Sequence, residues 1–159
     1  MSSFDFFESQ MLITVILAII FAVLIGVTIM VFYLLNLQNA LKQVGESRRL
    51  VPPSNVWLMF IPLFNLIYAF ILYPRISDSI KAEYEYRGLE PEGDFGRAIG
   101  ITIPILGLCS LIPILGFAHI GTLVLFIIFW VKISGYKTKL QNTPLDGGVF
   151  EGNKDLLDN

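Results

Sequence analysis

The sequence predicts an all-α integral membrane protein with three transmembrane helices, one re-entrant hairpin broken at a proline and an asparagine, and an amphipathic surface helix. Three observations lead there. The 159-residue chain is 55% apolar with a mean hydropathy of +0.70, above the ~45 to 50% apolar content of soluble domains. Its apolar residues gather into uncharged runs of spanning length. Its eleven Lys and Arg residues lie in the connections between those runs and beyond the last one. Four transmembrane helices are the alternative arrangement of the same runs.

The first ten residues, MSSFDFFESQ, hold two acids and no base, whereas a cleaved signal needs a positive start. Met11 to Leu35 then runs 25 residues without a charge, which at ~1.5 Å per residue crosses a ~30 Å hydrocarbon layer with some tilt. This is the first expected span, 11–35. Beyond it, Leu34, Leu37 and Leu41 keep helical spacing, so the helix is expected to project past the membrane surface and stop near Gly45. Paired prolines 52 and 53 mark Glu46 to Ser54 as a loop, and Arg48 and Arg49 mark it as cytoplasmic.

The run from Asn55 to Pro74 carries a break at its centre. Pro62 cannot donate to the carbonyl of Leu58, and Asn65 is expected to cap a new helix, giving two half-helices folded as a re-entrant hairpin over 55–73. Pro74 is then expected at the start of a surface helix over 75–87, with Ile76, Ile80 and Tyr84 on one stripe. Lys81/Glu85 and Glu83/Arg87 are spaced for ion pairs on a solvated face. Gly88 ends the helix, and Asp94 is placed to cap the next.

Ile99 to Val131 holds 33 residues without a charge, roughly 50 Å as one helix and too long for a single crossing. Two spans are expected, 95–112 and 117–135, with Pro113 and Gly116 forming the turn. Trp130, Lys132, Tyr136 and Lys137 read as an aromatic and basic interface anchor, with Trp57 as another on the central segment. Residues 141–159 are rich in Gly, Asn and Asp and are expected to be a disordered tail after a single membrane domain over 1–140.

Charge distinguishes the two arrangements. If the central segment crossed, its flanking loops would face opposite compartments although each carries several Lys and Arg residues. If it re-enters, all eleven basic residues fall on the cytoplasmic side, with the N-terminus outside and the C-terminus cytoplasmic.

No constellation of nucleophile, base and orienting group is readable, so no catalytic residue is assigned. One cysteine, Cys109, excludes an internal disulfide, and one histidine, His119, cannot build a two-histidine metal or haem site alone. His119 remains a candidate cofactor contact or proton relay, with an ordinary interface histidine as the plainer reading. No cofactor and no metal are expected. Eleven basic against thirteen acidic residues give no basic surplus for nucleic acid. Gly96, Gly100, Gly107 and Ser110 share one face, a small stripe that lets a neighbouring helix approach.

Several blocks resemble an uncharacterised family of bacterial membrane proteins. They are Leu37-Gln38-Asn39, Val56-Trp57-Leu58, Ile61-Pro62-Leu63-Phe64-Asn65-Leu66, Ser79-Ile80-Lys81-Ala82-Glu83, Cys109-Ser110 and Trp130-Val131-Lys132-Ile133 with Gly135-Tyr136-Lys137. The resemblance implies a membrane fold and no assigned activity. Some members carry a small soluble module ahead of the membrane part, where this chain has its short acidic stretch.

The expected function is that of a small non-catalytic accessory or scaffold subunit in a bacterial inner-membrane complex. Its expected partners are membrane lipids and either other integral membrane proteins or further copies of itself. The alternative is a small oligomeric channel or solute carrier built on the Pro62 to Asn65 break, since a broken helix exposes carbonyls to a polar solute. A membrane enzyme or electron-transfer subunit using His119 is the third reading.

Overall fold

The computed structural model describes residues 3–112 and 118–144, and every regular element within them is helical. Pro113, Gly116 and residues 145–159 lie outside the described residues, so the expected turn and most of the expected tail do too. The chain divides into two units, residues 1–35 and 36–159.

The first unit is helical. It is the larger part of α1, which runs over Ser3–Lys42 without a proline. The large apolar side chains from Phe7 to Ile29 are exposed, Leu17 by 60% and Phe21 by 66%. A helix apolar all round is at home only inside a large core or a bilayer. Its two threonine hydroxyls are satisfied without water, since Thr14 Oγ1 donates to the Gln10 carbonyl at 2.9 Å and Thr28 Oγ1 to the Leu24 carbonyl at 2.8 Å. Among the described residues two helices are long and apolar enough to cross a membrane by length and composition, Phe7–Lys42 within α1 and Ala118–Asn142.

The second unit starts with the last residues of α1 and continues through a 3-10 turn at Glu46–Arg48 and a 3-10 helix at Pro53–Phe60. Among the described residues three α-helices follow, α2 at Pro62–Tyr86, α3 at Arg97–Cys109 and α4 at Ala118–Asn142. The chain breaks where Pro62 requires, because proline at the first helical position lacks only an N–H that would have no partner there. Asn65 is not the cap. The extended Ile61 precedes the helix, and Asn65 sits inside the first turn with its N–H donating to the Ile61 carbonyl at 2.7 Å.

Pro74 does not start a helix either. α2 continues through it to Tyr86, although an interior proline costs about 3 kcal/mol. Leu72, Ile76 and Ile80 lie fully buried on both sides of it, and each such side chain contributes ~1.5 to 3 kcal/mol. Continuous burial outweighs the lost bond. The expected surface helix 75–87 is therefore the second half of a longer helix, and its apolar stripe packs inside the protein.

α2 ends in a Schellman arrangement: Gly88 is left-handed at φ +64, Leu89 N–H donates to the Tyr84 carbonyl at 3.0 Å and Gly88 N–H to the Glu85 carbonyl at 3.2 Å. Asp94 caps α3, accepting from Gly96 N–H at 3.0 Å and Ala98 N–H at 2.8 Å. With 13 residues α3 is shorter than the expected span over 95–112, and at ~1.5 Å per residue its helical part reaches only about 20 Å. It packs against both α2 and α4, while the 3-10 helix packs against α2. Tyr84, Phe95 and Tyr136 form the aromatic centre, with Phe95 centred 4.9 Å from Tyr84 and 5.2 Å from Tyr136.

Candidate functional site

Glu83 marks the most organised polar cluster among the described residues. It lies on the same side of α2 as Ile76, Ile80 and Tyr84, so the helix carries it inward with its apolar neighbours. Its side chain is 0% exposed. A buried carboxylate is tolerated only when its oxygens are filled by donors, and here they are. Oε2 accepts from Gly45 N–H at 2.8 Å and Arg48 Nε at 2.7 Å, while Oε1 accepts from Arg87 Nε at 2.7 Å. The expectation of a solvated Glu83 is corrected; its expected pairing with Arg87 is present, as is Lys81 with Glu85 at 3.8 Å.

Arg87 extends the cluster to other helices. Its Nη1 donates to the carbonyls of Leu140 and Thr143, both at 2.7 Å, and its Nη2 to the Gln43 carbonyl at 2.7 Å. Carbonyls at helix C-termini have no partner within the helix and carry partial negative charge, so one guanidinium satisfies the ends of α1 and α4 together. Arg49 adds to the end of α1, with Nε 2.7 Å from the Val44 carbonyl. The Arg48 guanidinium lies 3.6 Å over the Tyr86 ring. Nearby, Leu50 N–H donates to Ser79 Oγ at 2.9 Å.

Burial pushes the Glu83 carboxyl up, but hydrogen bonds from Arg48, Gly45 and Arg87, with the Arg87 charge, outweigh it and hold the group below the usual carboxylate range. The hydrogen bond to Glu83 raises Arg48, against the opposing effect of burial. Tyr84 is pushed up to about 12, first by burial and then by the charge of Glu92. A carboxylate held ionised under three donors is a poor general base, and guanidinium groups do not exchange protons near neutrality. The cluster is chemically quiet and mechanically binding. Gln43, Gly45 and Arg48 precede the central segment 55–73, whereas Glu83 and Arg87 come after it, so the chain on either side of that segment is fastened together.

Elsewhere the predicted residues are dispersed. Gly100 makes a close approach: a Cβ there would sit 2.8 Å from Tyr73 Cβ and 3.3 Å from the Phe129 ring. Gly96 is left-handed at φ +82 and lies against the Phe129 ring, whereas a Cβ on Gly107 would meet nothing within 4 Å. The small stripe thus works at one end only. Trp57 Nε1 donates to Gln38 Oε1 at 3.3 Å, and Trp130 lines an open groove along α4 with Ile127, Val131 and Ser134. Lys132 is half-buried near Gly96. Tyr136, expected as part of the interface anchor, is buried in the aromatic centre. Lys137 Nζ donates to Asn36 Oδ1 at 2.8 Å. His119 is exposed and Cys109 half-buried. Among the described residues no group of three or more His, Cys, Asp or Glu is arranged to hold a metal ion.

Sequence reasoning misses the Glu83 cluster although part of its signal is there. Residues 76, 80, 83, 84 and 87 fall on one helical face, so a glutamate among buried residues is foreseeable, but the partner at Arg48 is 35 positions away. Comparison with protein-family models, with curated proteins and with solved structures finds no match to the chain.

Proposed function

We propose that the protein is a small non-catalytic accessory or scaffold subunit of a bacterial inner-membrane complex, of the membrane family its sequence blocks resemble. In this reading 11–35, 95–112 and 117–135 cross the bilayer, 55–73 enters and returns on one side, the N-terminus is outside and the C-terminus is cytoplasmic. The observation that carries the reading is the uncovered apolar surface of α1 from Phe7 to Ile29, which needs lipid or a partner helix against it. Support for the re-entrant segment comes from the bonds joining Gln43, Gly45 and Arg48 to Glu83 and Arg87. A carrier built on the Pro62 to Asn65 break would need polar partners converging there, whereas Asn65 takes its place in the first turn of α2.

Purification from the membrane in mild detergent tests the reading. The same integral membrane protein should accompany the chain at fixed ratio in independent preparations, and solute flux in liposomes should be unchanged by Asn65→Ala. Recovery of the chain alone, together with flux abolished by Asn65→Ala, would replace the scaffold with a carrier.

A further inference from the structure

Lys137 and Asn36 make an incomplete polar pair. The ammonium of Lys137 donates to Asn36 Oδ1 at 2.8 Å. Because an ammonium has donors only, the amide oxygen must face it and Nδ2 must point elsewhere. That Nδ2 is buried and has no hydrogen-bond partner, on a residue only 7% exposed. Lys137 itself is half-buried, and no carboxylate among the described residues lies within ion-pair distance of it. By contrast its neighbour Lys139 pairs with Glu92, and Arg97 with Asp78 at 3.1 Å. Two donor groups on two helices, carrying one positive charge, therefore stand together without an anionic acceptor.

Their position along the chain says which acceptor suits them. Asn36 directly follows the uncharged run Met11 to Leu35, and Lys137 follows the apolar run that ends at Val131. α1 leaves its apolar stretch at Asn36, and α4 leaves its own at Lys132, little more than a turn before Lys137. In a bilayer that is headgroup depth, where basic residues between helices meet lipid phosphates. A phosphodiester offers one negative charge and two free oxygens, matching one ammonium and one amide N–H.

We propose that Lys137 and Asn36 bind the phosphate of an anionic phospholipid on the cytoplasmic face, an inference that rests on the membrane reading given above. Lys137 supplies the charge and the reachable donors, and Asn36 both orients it and adds the second donor. Asn36→Asp is the informative variant: it keeps the shape but gives Lys137 a carboxylate of its own, so the lipid loses its place while the fold keeps its packing.

The full chain in mild detergent is titrated with phosphatidylglycerol or phosphatidylcholine, and retained lipid is counted by native mass spectrometry. Wild type and Lys137→Arg should retain phosphatidylglycerol over phosphatidylcholine, while Lys137→Met and Asn36→Asp should weaken retention about tenfold, as expected for a lost charge-assisted bond. Lys139→Gln serves as the control with unchanged retention. Equal retention by wild type, Lys137→Met and Asn36→Asp overturns the site. Displacement of the lipid by an equal concentration of inorganic phosphate overturns the lipid as the source. A rise in wild-type retention on deleting residues 145–159 assigns the pair to an acidic side chain of the chain itself, and also overturns it. Failure of the membrane reading looks different, because the protein would then stay in solution without detergent.

Discussion

Glu83 holds a negative charge where solvent does not reach it, and three donors from two stretches of chain, Gly45 with Arg48 and Arg87, keep it there. Removing one partner of a buried ion pair strands the others, at a cost of about 3 to 5 kcal/mol. Glu83→Gln should therefore destabilise the protein by about 3 kcal/mol, measured as thermal unfolding in detergent. The pH dependence has its origin in the same bonds. Because the folded carboxyl titrates below its ordinary value of 4.5, its stabilisation is complete above that value and is lost as pH falls through the lower folded one. The gap in melting temperature between wild type and Glu83→Gln should be constant near neutrality and close in acid. A gap that persists in acid would mean shape, not charge, holds the cluster. Phe95 shows a second kind of constraint: it is non-glycine at φ +55, and its ring is fully buried between Tyr84 and Tyr136.

Helix boundaries and contacts depend on a few residues each. Gly100→Leu should disrupt the approach of α3 to α2, because Tyr73 leaves no room for even a Cβ, whereas Gly107→Leu should be tolerated within the chain. Thermal stability of the two variants checks this, and equal loss at both would mean that Gly107 meets a partner helix. Asp94→Ala should cost about 1 kcal/mol through loss of the α3 cap, read from the same melting curves. Among the helices, what is legible in the sequence is local. Pro62, Gly88 and Asp94 act through their own backbone neighbours, so their roles as break, stop and cap can be read in place. Pro74 defeats a local reading because its cost is set against burial of Leu72, Ile76 and Ile80, and burial belongs to the assembled protein. Asn65 defeats it because Pro62 has already fixed the first turn three residues earlier. The reach of Glu83 to Gly45 and Arg48 is a tertiary fact with no local signature.

Taken as one chain, the protein is expected to hold the residues before and after 55–73 on a single side of the membrane. Seen from charge alone, both flanking loops are basic; seen from geometry, Arg48 and Glu83 are 2.7 Å apart across that segment. A crossing segment would pull the pair to opposite faces of a ~30 Å layer. Single cysteines decide between the two. With Cys109 replaced by serine, Ser47→Cys and Glu90→Cys report the two exposed flanks, and Ser3→Cys reports the N-terminus. In intact cells an impermeant thiol reagent should label position 3 and spare both 47 and 90, with both labelled once the membrane is permeabilised. Labelling at 90 but not at 47 in intact cells would be incompatible with this arrangement and make the central segment a fourth span.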